Sequence, residues 1–344
     1  MTPLLGGLLV AAGGMLIGAG AWPMKIMRRY QFEHWWFLSM LVGLLLLPWA
    51  ATMLLCPDAV AAYREVPASV FLKANLFSLG WGVANVLCGL CYVRIGFALT
   101  GGILTGLGVS IGVTVPLIIK GTGLFKQAPD LNSPAGHVIL LSVAIILCSV
   151  VLGCLAGFGR ERAMSTSAPT AGSFRIGLVM VVLAGILSVG LSFSFVFTQG
   201  PIVHAMRAHG AGYIGANFAV WAMNLLGGSV VNLAYPAYLM TKHHDWKTLF
   251  SSSRDATLAL IIGITMTISI AFMGEGMLLL GALGASVGFG IQQSSQMLAN
   301  QSVGFLSGEW KDVHGKPRTQ QYLAISLLLV ATLILAYGNM LAKR

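Results

Sequence analysis

Charge is the scarcest thing in this sequence. Only 9% of its 344 residues are Asp, Glu, Lys or Arg, against roughly a quarter in an ordinary soluble domain, which excludes a water-solvated globule. Cysteine is also rare. There are five, and four of them (Cys88, Cys91, Cys148, Cys154) lie in apolar runs, so no extracellular disulfide framework is built. "CGLC" at 88–91 has the spacing of a redox or metal pair, but no second pair accompanies it, and the two thiols read as small packing residues. The opening "MTPLLGG" lacks the basic segment of a secretory signal, so the first apolar run is expected to stay in the mature protein. No nucleophile stands beside a base and no cluster of metal ligands is evident, which argues against an intramembrane enzyme and against a bound metal.

Apolar residues dominate instead. They make up 57% of the chain, the mean hydropathy is +0.84, and they fall into runs of about 20 residues, each able to cross roughly 30 Å of hydrocarbon as a helix. The net charge of +10 sits in short clusters between these runs, as bilayer-flanking charge does, and does not indicate a nucleic acid partner. The lipid bilayer is the expected surrounding.

The breaks predict ten helices, at 3–23, 36–55, 70–93, 96–118, 136–157, 176–198, 213–240, 257–281, 284–306 and 320–341. Lys25, Arg28, Arg29, Arg94, Arg160, Arg162, Arg175, Lys242, Lys247, Arg254, Lys311, Lys316 and Arg318 share one set of connections, so both termini are expected outside. The polar stretch "GRERAMSTSAPTAGSFR" divides the chain into a first five-helix repeat (1–158), a cytoplasmic linker (159–175) and a second repeat (176–344). An odd number of spans per half forces the halves into opposite orientation, a design in which substrate binds at the repeat interface. Two short echoes agree with duplication: "AGGMLIG" with "AGILSVG", and "FSLGWG" with "FMGEG", which would pair Trp81 with Glu275.

Glu275 is the strongest chemical signal, standing in an uncharged run that begins after Asp255 and ends at Glu309. Loss of water favours a carboxyl's protonated form, which a proton-coupling group needs. The competing reading is that the eighth helix ends early and leaves Glu275 at the outer interface. Gly274 and Gly276 on either side allow a neighbouring helix or ligand to approach closely.

In "IQQSSQMLANQS" the amides Gln292, Gln296 and Asn300 recur every four residues along one helical face, with Gln293 beside them. Amides both donate and accept, which suits the hydroxyls of a neutral sugar; bonding between helices without ligand is the alternative. Trp81 and Asn85, also four apart, offer an aromatic platform with an amide next to it. Asn217, Asn224 and Asn232 are further candidates, each as readily structural. Gly102, Gly106, Gly108 and Gly112 give faces for tight helix crossing rather than a phosphate loop. Lys25, near Pro23, reads first as an interfacial charge and second as a gate contact. His204 and His209 are five apart, on different faces, and His243 and His244 read as ordinary loop residues.

With "WGVANVLCGL" (81–90), "IGLVMVVLAGILSVGLSF" (176–193) leading into "GPIVHA", "GGSVVNL" (227–233) and "GEWKDVHGKPRT" (308–319), the chain resembles the L-rhamnose–proton symporter family of the drug/metabolite transporter superfamily across nearly its whole length. That resemblance implies ten helices in two inverted five-helix repeats, a bacterial inner membrane, and deoxysugar uptake driven by protons, with no other cofactor. Trp81, Asn85, Ser192 and Asn232 carry the likeness most directly. The eighth and ninth spans depart from the family pattern, which leaves the particular sugar open. Export or exchange of another small polar metabolite is the alternative expectation.

Overall fold

The computed structural model describes residues 3–118, 132–164, 171–280 and 288–341. Part of the expected linker (165–170), and residues 281–287, which hold the expected turn between the eighth and ninth spans with the adjoining span ends, lie outside the described residues.

Every regular element among the described residues is helical. The first half holds α1 (Pro3–Gly20), α2 (Phe32–Met40), α3 (Leu47–Leu55), a short α4 (Ala59–Glu65), α5 (Ala68–Arg94), α6 (Phe97–Ile118) and α7 (Pro134–Met164). The second holds α8 (Ala171–Ser188), α9 (Gly190–Ala208), α10 (Tyr213–Asn224), α11 (Leu226–His243), α12 (Ser253–Leu279), α13 (Phe289–Leu306) and α14 (Lys316–Leu341). Among the described residues, seven segments are long and apolar enough to cross a membrane, or eight when α10 and α11, bent by 52°, count as one. This is a multi-pass membrane protein. The apolar stretch of α6 is short, and the amides of α13 lower its hydropathy; they are kept from lipid, since Gln292, Gln293, Gln296, Asn300 and Gln301 are all buried.

Helices of one half pack mainly on helices of the other. α1 lies on α12 and α13, while α8 lies on α5 and α6; α2 contacts α11 and α12, while α11 contacts α2 and α5; α6 pairs with α13 and α7 with α14. Small residues permit these crossings, as they do where lipid offers no hydrophobic drive between helices. A Cβ on Gly43 would stand 2.6 Å from the Gly263 carbonyl oxygen, and one on Gly82 2.7 Å from that of Gly228. Gly108 and Gly112 meet Gln293 and Phe289 of α13, as a packing face should.

The α10–α11 bend at Leu225 frees amide N–H groups in oil, where each needs a partner. Side chains of α5 supply them: Asn75 Oδ1 accepts from Gly227 N–H (2.7 Å) and Ser78 Oγ from Gly228 N–H (3.0 Å). At the basic end, the buried Asp255 Oδ2 accepts from the backbone N–H groups of Arg28, Arg29 and Tyr30 at 3.0, 2.6 and 3.1 Å, fixing the loop after α1 to the start of α12.

Several boundaries differ from expectation. α7 runs on to Met164 and α8 begins at Ala171, so both enter the stretch 159–175 expected as a linker, and the expected seventh span is broken at Leu225. The segment after residue 198 stays helical to Ala208 despite Pro201, because Ile202, Ala205 and Met206 are buried and their packing outweighs the lost backbone bond.

Candidate functional site

A cavity of about 110 Å³ lies where α1, α2, α5 and α6 of the first half meet α8, α9, α10, α12 and α13 of the second. A single water needs only roughly 10–15 Å³, so the space is large enough for a small polar molecule rather than one or two waters. Its walls are aromatic and apolar, with Trp35, Trp36, Trp81, Tyr92, Phe195, Trp221 and Phe289 among them. The polar groups are Asn85, Ser188, Ser192, Gln292, Gln293 and Gln296. No charged side chain lines it among the described residues.

Two hydrogen-bonded units hold these groups. Asn232, fully buried on α11, accepts through Oδ1 from Trp36 Nε1 (3.0 Å) and Asn85 Nδ2 (2.9 Å), and donates to the Gly228 carbonyl (2.8 Å). Its side chain thereby aims an indole and an amide of the first half at the cavity. On α13, Gln292 Nε2 donates to Gln296 Oε1 at 2.8 Å, a one-turn pair that leaves further donors and acceptors for a ligand.

Trp81, Asn85, Ser192, Gln292, Gln293 and Gln296 therefore come together as the sequence suggests. Asn300 and Asn224 do not join them. Asn300 packs on Gly101 and donates to the Gln296 carbonyl at 3.0 Å; Asn224 is enclosed with Ser194 and Thr198 between α9 and α10.

Glu275 stands apart as well. Residues Ile262, Met266, Ile270, Met273 and Met277 turn α12 toward the cavity; at roughly 100° per residue Glu275 lies about 180° from the mean of that face. It continues the exposed stripe of Ile261, Ile264, Ile268 and Phe272. It is 20 residues from Asp255, about 30 Å along the helix and so about one hydrocarbon thickness from the basic end. Its Oε2 is enclosed and has no hydrogen-bond partner among the described residues. The neighbouring glycines serve helix contact: Gly274 abuts Asn217 and Trp221 of α10, and Gly276 abuts Gly6 and Val10 of α1. Gly13 crosses α12 between Ser269 and Met273, and Gly190 crosses α5 between Phe77 and Trp81.

Lys25 joins the halves at the basic end. Its Nζ donates to Glu309 Oε1 and to Ser307 Oγ, both at 2.7 Å, and lies over the Phe97 ring. Glu309 also accepts from the N–H groups of Phe97 (2.9 Å) and Ala98 (3.3 Å) at the start of α6, and faces Arg160 at 3.8 Å. These residues border a wider vestibule, and Trp35 and Tyr92 line both it and the central cavity. Sequence reasoning passed over the Trp35–Trp36 pair, Tyr92 and the hub role of Glu309; "WW" at the start of the second span was the available signal.

The family model described as L-rhamnose-proton symport protein (RhaT) matches residues 5–341. Similar proteins include one named L-rhamnose-proton symporter from Shigella flexneri, 27% identical over 325 residues and 92% of each chain. Another of that name, from Yersinia pestis (strain Pestoides F), is 26% identical over the same extent. These relatives are named as transporters, not enzymes. With the match running almost from end to end, the chain belongs to the L-rhamnose-proton symport protein family.

Proposed function

We propose that this protein takes up L-rhamnose or a related deoxysugar together with protons by alternating access. The observation that carries the reading is the central cavity: indole faces and amides, with no charged side chain among the described lining residues. Aromatic faces suit the C–H surface of a sugar ring, and amides can both donate to and accept from its hydroxyls. A zwitterion or anion there would leave a charge unpaired away from water, which costs several kcal/mol or more. The relatives' names agree with a sugar cargo and a proton partner.

Ten spans in two inverted five-helix repeats is the architecture this function asks for. The reciprocal packing supports it: exchanging α1 with α8, α5 with α12 and α6 with α13 maps the main contacts of one half onto those of the other. In this reading the protein sits in the bacterial inner membrane with both termini periplasmic and its Lys/Arg-rich loops cytoplasmic. Lys25 and Glu309 then act as a cytoplasmic latch above Trp35 and Tyr92.

Glu275 is our assignment for the proton. Because it does not face the cavity, coupling runs through α12: the turns holding Gly274 and Gly276 press on α10 and α1, and Met273 and Met277 of the same turns line the cavity. The proton is the only coupling species, with no organic cofactor. Proteoliposomes given labelled rhamnose, fucose, lyxose and mannose, with and without an imposed pH gradient, test the function. Gradient-driven accumulation of rhamnose is expected; counterflow without accumulation would point to an exchanger or exporter. Glu275→Gln should keep sugar exchange and lose pH-driven accumulation, and a variant that accumulates sugar like the wild type would remove Glu275 from the mechanism.

A further inference from the structure

Away from the cavity, α2 and the end of α11 bring together Glu33, His34, His243 and Asp245. One ligand atom from each of Glu33, His243 and Asp245 lies within 4.8 Å of the others. His243 Nδ1 is 3.1 Å from Glu33 Oε1. A tetrahedral ion with bonds of about 2.0–2.1 Å sets neighbouring ligand atoms roughly 3.3 Å apart, so this pair already has the spacing of one edge, and a small inward movement of Asp245 completes a third position.

The charges call for a cation. Glu33 is 4% exposed, and neither it nor Asp245 makes an ion pair with a lysine or arginine among the described residues; their partners are histidines. Two carboxylates this close, one of them out of water, repel unless a positive charge joins them. Two enclosed atoms are also left over. Asp245 Oδ1 has no hydrogen-bond partner, and neither has Nε2 of His34, a side chain only 1% exposed. His34 is already oriented, because its Nδ1 accepts from Gln31 N–H at 3.2 Å. Its Nε2 faces Asp245 Oδ2 at 3.3 Å without completing a hydrogen bond, so the small movement that brings Asp245 into place would also let the two join. That is the outer support a ligating carboxylate usually has.

We infer that Glu33, His243 and Asp245 form a binding site for a divalent transition-metal ion of the zinc type, with His34 orienting Asp245. Imidazole nitrogen and carboxylate oxygen suit such an ion, and three protein ligands leave a position for water. Since Glu33 belongs to the first half and His243 and Asp245 to the second, the ion would tie α2 to α11 beside the vestibule.

The test uses tag-free, full-length protein in detergent, stripped with chelator, then titrated with Zn²⁺ by calorimetry and with Co²⁺ by absorption. One ion per chain is expected, with His243→Ala and Glu33→Gln each weakening binding by at least about tenfold and His204→Ala leaving it unchanged. His243 is exposed, so its removal leaves packing intact and decides the matter if Glu33→Gln does not fold. No saturable binding, or wild-type affinity in His243→Ala, would overturn the site and leave two ion pairs in its place.

Discussion

Asn232 offers a sharp perturbation because it supports the cavity without lining it. Replacing it with Ala removes the acceptor shared by Trp36 Nε1 and Asn85 Nδ2, at 3.0 and 2.9 Å. The Trp36 side chain is 3% exposed, and its indole N–H left without a partner costs about 1–3 kcal/mol. Asn85 borders the cavity and can rehydrate, so its loss is nearer about 0.5–1.5 kcal/mol, the net value of an ordinary hydrogen bond. The melting temperature should fall accordingly. Sugar affinity should also fall, because both side chains lose their fixed aim; holding each again on binding costs about 0.5–1.5 kcal/mol, so the Kd rises roughly 5- to 150-fold. Calorimetry with rhamnose on detergent-solubilised protein measures this directly. A cycle with Asn85→Ala separates direct from relayed effects: if Asn232 works through Asn85, the second substitution adds less than it costs alone. A variant that melts lower but binds with wild-type affinity would refute the positioning role.

Three further outcomes follow from the packing. Gly18→Ala places a methyl against the Gln296 carbonyl and 2.8 Å from Ala299 Cβ; forcing α1 and α13 apart should cost about 1–3 kcal/mol, and an unchanged melting temperature would refute the close crossing. Glu309→Gln strands Lys25, whose side chain is 25% exposed. Screening limits the expected coupling in a Lys25→Ala/Glu309→Gln cycle to about 0.5–1 kcal/mol, shrinking in high salt, and an additive cycle would mean that no latch exists. Trp81→Phe should keep much of the sugar affinity while Trp81→Ala loses it; equal binding in the two would show that the ring face is not used.

Much of the fold was legible before any contact was known. Low charge and 20-residue apolar runs pointed to helices in a bilayer, since backbone groups in oil must be paired internally and runs this long and continuously apolar do not fit the short alternating strands of a barrel. The four-residue spacing of Gln292 and Gln296, and of Trp81 and Asn85, put each pair on one face, and all four residues do line the cavity. The same spacing misled at Asn300, because a stripe continues along a helix after the cavity beside it has closed; there the amide packs on Gly101 instead. His243, the last residue of α11, reads as a loop residue in the sequence because its acidic partner Glu33 is some 210 positions away.

The sequence by itself determined that Glu275 is a lone carboxylate in a long uncharged run and that amides and indoles cluster in a few spans. Tertiary structure decided which of these groups meet. A helix apolar on nearly every side, as α12 is, carries no periodic signal saying which face turns inward, so only its contacts with α1 and α10 send Met273 and Met277 to the cavity and Glu275 to the opposite side. In a bilayer both faces of such a helix are oily, and orientation is set by packing with distant helices rather than by contrast with water.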